Sequence, residues 1–310
     1  MSDVSHTTNS QFAERIQRYW NEEQWFVAVR LRKDNEYEFD PSRMILLRPP
    51  GDRFFADPFV VERENRNYLF VEEFVFSAYK GVISVVEFDE QGFRGSPVVV
   101  LEAEHHLSYP FIFEWEGQTY MLPEARDSGN VSLFRAVEFP NRWEFAGNLL
   151  ENVWAVDSTI FEHEGKFWMF AGGVIRNGRI NGELFLYYAD SPLGPWHPHP
   201  KNPVVADTSR ARPAGTIFSQ GGSLIRPGQD CSLRYGRAVV LNRIEEITTE
   251  TYKETSIRVI NPDWFPGIIG THTISHSEHF QTLDALMLTP QPRLIPKKLW
   301  WSLRDHLWKT

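Results

Sequence analysis

The stretch ADPFVVERENRNYLFVEE, residues 56–73, decides the fold. A polar residue, Asp57, opens an apolar strand, a polar turn follows, and a second apolar or aromatic strand comes next. The same pattern returns in SYPFIFEWEGQTYMLPEA (108–125), VDSTIFEHEGKFWMFAGG (156–173) and PAGTIFSQGGSLIRPGQD (213–230), and more weakly from GTHTIS (270–275). The chain therefore contains an internal repeat of five units.

The units recur at a regular interval. Their opening positions, which are Asp57, Tyr109, Asp157, Ala214 and approximately His272, are 48 to 58 residues apart. Further strand-like runs such as GVISVVEFD and GELFLYYAD lie between them, which gives about four strands per unit. Units of about 50 residues with four strands are typical of propeller blades. We therefore predict an all-β protein with a five-bladed β-propeller, and a pair of stacked β-sandwiches is the alternative.

The two ends of the chain differ from the repeat. Residues 24–293 form the predicted propeller, and the run QWFVAVRLR (24–32) is expected to close the last blade, because pairing of both ends removes exposed sheet edges. Residues 1–23 are predicted to form a short helical extension. Residues 294–310 are predicted to form a basic, tryptophan-rich amphipathic helix, which either docks on its own domain or contacts a membrane surface peripherally.

Composition and motifs limit the classes of function. The chain has 32 Lys and Arg against 41 Asp and Glu, a formal net charge of -9, so nucleic acid is not expected as a partner. The single cysteine excludes an intramolecular disulfide. No P-loop, dinucleotide-binding glycine motif or HExxH motif is present, and we predict neither a cofactor nor a metal ligand set. Without a signal-peptide pattern or a long apolar run, a cytoplasmic protein is expected.

Residues that open the innermost strands of a propeller gather around its axis. Asp57 and Asp157 occupy equivalent openings in blades one and three, and Tyr109 occupies that of blade two. The second strands end in further polar residues, which are Glu72, Glu73, Glu124, Gln229 and Asp230. Carboxyl groups that share a partly dry cavity acquire divergent pKa values, as a general acid and a general base require. The sequence therefore predicts a cluster of acids at the axis, and turn capping by the two aspartates is the alternative.

The fourth unit is the richest in polar side chains within an apolar context. These are Arg212, Gln220, Arg226, Gln229, Asp230, Tyr235 and Arg237. Arginines there would suit a carboxylate or phosphate on a ligand, and a salt-bridge network between blades is the alternative. His272, at the opening of the fifth unit, is expected to reach the same cavity. Because His272 and the nearby acids are residue types that bind divalent ions, the sequence leaves open whether such an ion occupies the axis.

Several phrases resemble known proteins over residues 25–290. Three of them are similar to sequences of the five-bladed glycosidases, which include arabinanases, invertases and levansucrases. These phrases are ADPFVV, YLFVEE and SPLGPW. A combination of six further phrases resembles the N-terminal domain of plant glucosamine inositolphosphorylceramide transferase and its bacterial relatives. These phrases are SYP, MLPE, RPAG, QDCS, YG and GTHT. In the plant proteins this domain is joined to a separate glycosyltransferase domain.

The resemblance implies roles for individual residues. It implies that Asp57 is a general base or nucleophile, that a second aspartate tunes a pKa, and that a glutamate is the acid. Asp157 is the candidate modulator, and Glu124 and Glu73 are candidates for the acid. The chain departs from the hydrolase pattern at Tyr109, where many hydrolases carry aspartate.

We therefore expect an enzyme that makes or breaks a glycosidic bond, in intracellular glycan or glycolipid assembly. Arg212, Arg226 and Arg237 would hold an anionic part of the substrate. A non-catalytic module that binds a glycan or a partner is the alternative. Two cavity acids within about 10 Å of each other would favour catalysis, and arginine salt bridges that fill the cavity would favour the module.

Overall fold

A computed structural model describes residues 21–32, 39–173 and 181–290. They form five antiparallel sheets, the blades of a propeller, which confirms the predicted all-β five-bladed fold. Helical structure within these ranges consists of two 3₁₀ turns, Pro41–Arg43 and Arg126–Ser128, and none of it is long and apolar enough to cross a membrane. The predicted terminal helices fall mainly on 1–20 and 291–310, outside the described residues. Residues 21–23, which we assigned to the N-terminal helix, begin a strand instead.

The strands follow the chain blade by blade. The first two are β1 (Asn21–Leu31) and β2 (Ile45–Leu47). Blade one contains β3 (Arg53–Arg63), β4 (Arg66–Val75), β5 (Lys80–Asp89), β6 (Gly92–Phe93) and β7 (Val98–Leu101). Blade two contains β8 (Ser108–Trp115), β9 (Gln118–Glu124), β10 (Asn130–Glu138) and β11 (Arg142–Glu151).

The remaining blades continue this order. Blade three contains β12 (Val156–His163), β13 (Lys166–Gly172), β14 (Glu183–Ala189), β15 (His197–Pro198) and β16 (Val205–Ala206). Blade four contains β17 (Phe218–Gln220), β18 (Ser223–Asp230), β19 (Ala238–Ile247) and β20 (Tyr252–Ile260). Blade five joins β21 (Ile268–Gly270), β22 (Ile274–His276) and β23 (Phe280–Pro290) to β1 and β2.

The N-terminal strand closes the ring. Strand β1 pairs with β23 along its whole length, from Asn21 opposite Pro290 to Leu31 opposite Phe280. Seven consecutive residues of β1, from Gln24 to Arg30, are buried. The run after residue 23 is therefore a strand of the same sheet as β23. Pairing both chain ends in one sheet leaves β23 without an exposed edge.

The inner strands of blades one to three share a backbone irregularity at their openings. Asp57, Tyr109 and Asp157 have positive φ angles of 49°, 46° and 52°. At each of them the pairing register shifts, between Ala56 and Phe59, Ser108 and Phe111, and Val156 and Thr159. Such bulges place non-glycine residues in a strained region and re-aim their side chains away from the regular pleat. The repeat thus supplies three re-aimed side chains at the centre of the ring.

Tyr109 fills the axis and joins several blades. Its hydroxyl lies 2.8 Å from the Thr159 hydroxyl of blade three and accepts the N–H of Gly215 in blade four at 2.8 Å. Its backbone N–H donates to Asp57 of blade one at 3.2 Å. The side chain is fully buried and packs edge-to-face on Phe59. Tyr109 is therefore part of the packed centre of the propeller and does not contribute to a cavity surface.

Candidate active site

A cavity of about 250 Å³ lies over the openings of the inner strands, and all five blades line it. Its lining residues are Trp25, Phe54, Ala56, Asp57, Glu72, Phe74, His106, Ser108, Glu124, Arg126, Val156, Arg212, Tyr235 and His272. The volume lies just below the roughly 300–1,000 Å³ of pockets for drug-sized ligands, so it suits one small polar unit. The predicted site residues in this lining are Asp57, Glu72, Glu124, Arg212, Tyr235 and His272.

Asp57 belongs to a buried hydrogen-bond network beside the cavity. Its Oδ1 accepts the Thr273 hydroxyl at 2.6 Å, and its Oδ2 accepts the backbone N–H of Tyr109 at 3.2 Å. The Nε2 atom of His272 lies 3.6 Å from Oδ1. Burial raises the pKa of Asp57, and the charge of His272 opposes that rise. The carboxyl group is therefore held in one orientation, with a donor on each oxygen.

Asp284 anchors His272 from strand β23. Its Oδ2 lies 2.5 Å from Nδ1 of His272, and its Oδ1 accepts the backbone N–H groups of His272 and Thr273 at 2.8 and 3.0 Å. Burial lowers the pKa of His272, but the Asp284 and Asp57 carboxylates outweigh burial and raise it overall. The imidazole also stacks on Trp25, with ring centroids 4.1 Å apart. His272 thus gives Asp57 a fixed, positively charged neighbour.

The same three side chains have the ligand types of a metal site. One donor atom from each of Asp57, His272 and Asp284 lies within 4.8 Å of the others. The oxygens of Asp284, however, accept three backbone N–H groups, and the His272 imidazolium balances its charge. The oxygens of Asp284 are therefore already occupied by the protein's own donors. The sequence prediction that no metal is bound stays a prediction.

Asp157 forms a bidentate pair with Arg212 at the cavity wall. Nε and Nη2 of Arg212 donate to its two oxygens at 2.6 and 3.2 Å, and the Gln229 amide donates to Oδ2 at 3.2 Å. Burial raises the pKa of Asp157 to about 7, although Arg212 lowers it, because Glu124 and Asp57 add to the rise. Asp157 is absent from the cavity lining and is placed to hold Arg212 in position.

Glu124 lies on the other side of the same guanidinium. The Nη2 atom of Arg212 is 3.8 Å from Glu124 and 3.2 Å from Asp157, so the two carboxyl groups are at most about 7 Å apart, within the spacing that glycosidases use. The Ser108 hydroxyl donates to Glu124 at 2.9 Å. Two acids therefore lie close together with an arginine between them, but Asp157 is outside the cavity lining, so this pair does not meet the expectation of two acids across an open cavity.

The other predicted residues lie outside the cavity lining. Glu73 faces the opposite side of β4, where it pairs with Arg53 and accepts the Ser84 hydroxyl. Asp230 pairs with Arg237, and Gln220 lies at the hairpin between β17 and β18. Tyr109 and Gln229 are buried at the axis.

Arg226 forms a salt bridge within blade four, between β18 and β20, and so differs from the network between blades that we named as the alternative. Both of its bonds to Glu254 are 2.7 Å long, and the two side chains are 1% and 2% exposed. Its guanidinium also faces the ring of Phe170 in blade three. Arg226 is thus part of a buried salt bridge and has no access to a ligand in the cavity.

The structure adds polar residues that the sequence analysis did not select. Asp284 lies inside an apolar strand, TLDALML, and an acid in that setting is the signal that could have found it. His106 and Arg126 lie in segments beside β8 and β9 and line the cavity. Their positions depend on how the loops fold over the blade ends, which the repeat does not encode.

Comparison with protein families gives one match. Residues 49–263 match the family described as "Glucosamine inositolphosphorylceramide transferase 1, N-terminal". The glucosamine inositolphosphorylceramide transferase 1 of Oryza sativa subsp. japonica is 40% identical over 213 residues, which are 66% of this chain and 28% of the rice protein. That of Arabidopsis thaliana is 37% identical over 208 residues, 66% of this chain and 27% of the relative. The chain therefore matches little more than a quarter of these relatives.

Solved structures share the fold at low sequence identity. Zg3597, a family 117 glycoside hydrolase from Zobellia galactanivorans, gives a TM-score of 0.54 at 12% identity and covers 86% of this chain and 91% of its own. The exo-β-1,3-galactanase 1,3Gal43A from Clostridium thermocellum gives 0.51 at 10% identity, with 77% and 62% covered. These two similarities extend to the propeller fold. By the family match over most of its length, the chain belongs to the family of the N-terminal domain of glucosamine inositolphosphorylceramide transferase 1.

Proposed function

We propose that the axial cavity is a carbohydrate-active site that makes or breaks a glycosidic bond. The observation that carries this is the convergence of Asp57, Glu72 and Glu124 from two blades on one small cavity. Gathering like charges in a buried place costs stability, and such groups are concentrated at functional sites. The names of the relatives, which are a glucosamine transferase and two glycoside hydrolases, support a sugar as the ligand.

In this proposal Asp57 acts as the base or nucleophile. The Thr273 hydroxyl and the Tyr109 N–H orient its oxygens, and His272 favours its charged form. Arg212, fixed by Asp157, lies at the wall, and its Nη2 atom is 3.8 Å from Glu124. Asp157 therefore modulates the charge of the cavity through Arg212.

The place of action is part of the same proposal. The plant relatives are named for an inositolphosphorylceramide, which is a lipid, and this supports a role in glycolipid or glycan assembly. We place this role in the cytoplasm, where the basic, tryptophan-rich segment 294–310 would bring the propeller to a membrane surface peripherally. Binding to vesicles with anionic lipids, compared between the full chain and a chain that ends at residue 293, tests this part.

Asp57→Asn is expected to lower turnover by about 10²–10⁴-fold, because the amide cannot accept a proton. The wild type, Asp57→Asn and a control, Asp190→Asn, would be incubated with aryl furanosides, aryl pyranosides and nucleotide sugars. Asp190 is an exposed aspartate that pairs with Lys166, so the control removes one carboxylate far from the cavity. Product release and ligand-induced shifts in melting temperature would be recorded together.

The same experiment separates the enzyme from the binding module. Turnover that is lost in Asp57→Asn and kept in Asp190→Asn supports the enzyme. Equal melting shifts in all three proteins, with no turnover of any compound, would favour a module that only binds the sugar. Turnover that survives in Asp57→Asn would remove Asp57 from the chemistry.

A further inference from the structure

Glu72 enters the cavity beside Asp57. It lies in β4 opposite Ala56, the residue that precedes Asp57 in β3. Glu72 and Glu124 occupy equivalent positions, because each faces the residue just before a left-handed opening residue. The repeat therefore brings two glutamates to the same cavity, and their surroundings decide what each can do.

The surroundings of Glu72 contain an imidazole and no close arginine partner among the described residues. Nε2 of His106 lies 3.4 Å from Oε1 of Glu72. The backbone N–H of Gly81 donates to Nδ1 of His106 at 3.0 Å. Because Nδ1 accepts that bond, the proton of the neutral ring resides on Nε2 and faces Oε1. Oε2 is then the oxygen that can carry a proton toward a ligand.

Gly81 makes this approach possible. A Cβ at that position would lie 2.5 Å from the Leu107 carbonyl oxygen, 2.7 Å from Cε1 of His106 and 2.8 Å from Oε1 of Glu72. Any side chain there would push the imidazole or the carboxyl group away. The glycine is therefore fitted to the Glu72–His106 contact.

The two glutamates differ in their polar partners. Burial raises the pKa of Glu72 well above 4.5, and the charges of neighbouring carboxylates add to the rise. The charged and titratable groups around it are Asp57, Glu124, Asp157, Asp284, His106, Arg126, Arg212, Tyr235 and His272. Glu124, in contrast, accepts the Ser108 hydroxyl and lies 3.8 Å from Arg212. The carboxyl group of Glu72 is thus suited to donate a proton, whereas that of Glu124 is held by a hydroxyl and an arginine.

We propose that Glu72 is the proton donor to the leaving group in this cavity and that His106 is the residue that positions it. The inference rests on the proposed function, and it assigns the acid to Glu72, which the sequence placed in the cluster of acids at the axis without a role in catalysis. Glu124, the earlier candidate for the acid, becomes a part of the cavity wall beside Arg212.

The proton transfers balance in a single displacement. The bond between the anomeric carbon and the leaving oxygen breaks, its electron pair stays on that oxygen, and the proton of Glu72 Oε2 moves to it. The oxygen of a water molecule or an acceptor hydroxyl forms the new bond to the anomeric carbon and gives its proton to Asp57. Glu72 ends as a carboxylate and Asp57 as an acid, and exchange with solvent restores both.

The kinetic test compares substrates that need an acid with substrates that do not. On phenyl glycosides of the accepted sugar, Glu72→Gln is expected to lower kcat/KM by about 10²–10⁴-fold, whereas on dinitrophenyl glycosides the loss stays within about tenfold. Glu124→Gln is the matched control and should affect both substrates alike. His106→Phe should move the alkaline limb of the pH profile upward, since the carboxylate of Glu72 loses an N–H neighbour.

An infrared measurement tests the protonation of Glu72 without any substrate. At pH 7 the wild type should show the carbonyl band of a protonated carboxylic acid. Because Asp157, whose pKa is about 7, absorbs in the same region, the band is read from difference spectra: Glu72→Gln should lose a carbonyl component that Glu124→Gln retains. Circular dichroism and melting curves establish that the variants are folded.

The outcomes separate this inference from the proposed function. Selective loss on phenyl glycosides in Glu124→Gln, with Glu72→Gln unaffected, overturns the inference and leaves the enzyme standing. A wild type without the Glu72 band also overturns it, whatever the activity. A band in the wild type without turnover of any sugar overturns the function, and the donor role of Glu72 with it.

Discussion

Gly215→Ala is expected to lower the free energy of unfolding by more than about 3 kcal/mol, or to prevent folding. A Cβ there would overlap with the backbone carbonyl of Ile274, and the φ angle of 122° is unfavourable for a side chain. Gly215 and Ile274 form a backbone bridge between blades four and five, and the Gly215 N–H also holds the Tyr109 hydroxyl. Relief of the overlap therefore requires two blades to separate at the axis.

Gly147→Ala is the matched control, because it has a similar backbone conformation without the close contact. Its φ is 133°, and nothing lies within 4 Å of the position that a Cβ would take. We expect a loss of about 1–3 kcal/mol from backbone strain alone. Urea denaturation of both variants measures the difference, and equal losses would show that the contact between blades four and five is unimportant for stability.

Arg226→Met is expected to lower the free energy of unfolding by about 3–5 kcal/mol at pH 7. The substitution leaves the Glu254 carboxyl group buried without its bidentate partner. The double variant Arg226→Met with Glu254→Leu should recover most of the loss, because it removes the uncompensated charge as well. Ligand binding in the cavity should persist at temperatures where the single variant is folded. Loss of ligand affinity in a folded Arg226→Met would instead indicate that Arg226 contributes to substrate binding.

The deficit of Arg226→Met should depend on pH in a defined direction. In the wild type, burial raises the pKa of Glu254, but Arg226 outweighs burial and lowers it overall, so the ion pair stabilises the protein above about pH 4.5 and that contribution fades as the pH falls. Without Arg226, burial alone raises the pKa of Glu254, and the protonated side chain is tolerated at low pH. The difference in unfolding free energy should therefore shrink from pH 7 to pH 4, and a constant difference would contradict the ion-pair explanation.

The fold could be predicted from the sequence because the repeat is encoded locally. Each unit places a polar or special residue before a short apolar strand and follows it with a turn, and this order survives even where the opening residue changes from Asp57 to Tyr109. The closing role of β1 followed from the need to remove sheet edges. The sequence did not predict that Asp57, Tyr109 and Asp157 adopt the left-handed conformation, because residues other than glycine adopt it uncommonly.

The site was less accessible to sequence reasoning, because the partner of each polar group is decided in three dimensions. Arg212 and Arg226 have equal standing in the sequence, yet one flanks the cavity and the other is paired with Glu254 inside blade four. Glu72 and Glu73 are neighbours in one strand, and the alternation of side chains sends only Glu72 into the cavity. No local signal distinguishes these cases.

We propose glycosyl chemistry in one cavity, with Asp57 as the base and Glu72 as the proton donor. The pH dependence of kcat/KM on the accepted sugar tests it most directly, because that profile reports the essential acid and base of the free protein. We expect a bell-shaped curve. Its acidic limb reflects protonation of Asp57. Its alkaline limb reflects ionisation of Glu72 and should disappear in Glu72→Gln. An alkaline limb that is unchanged in Glu72→Gln would contradict it.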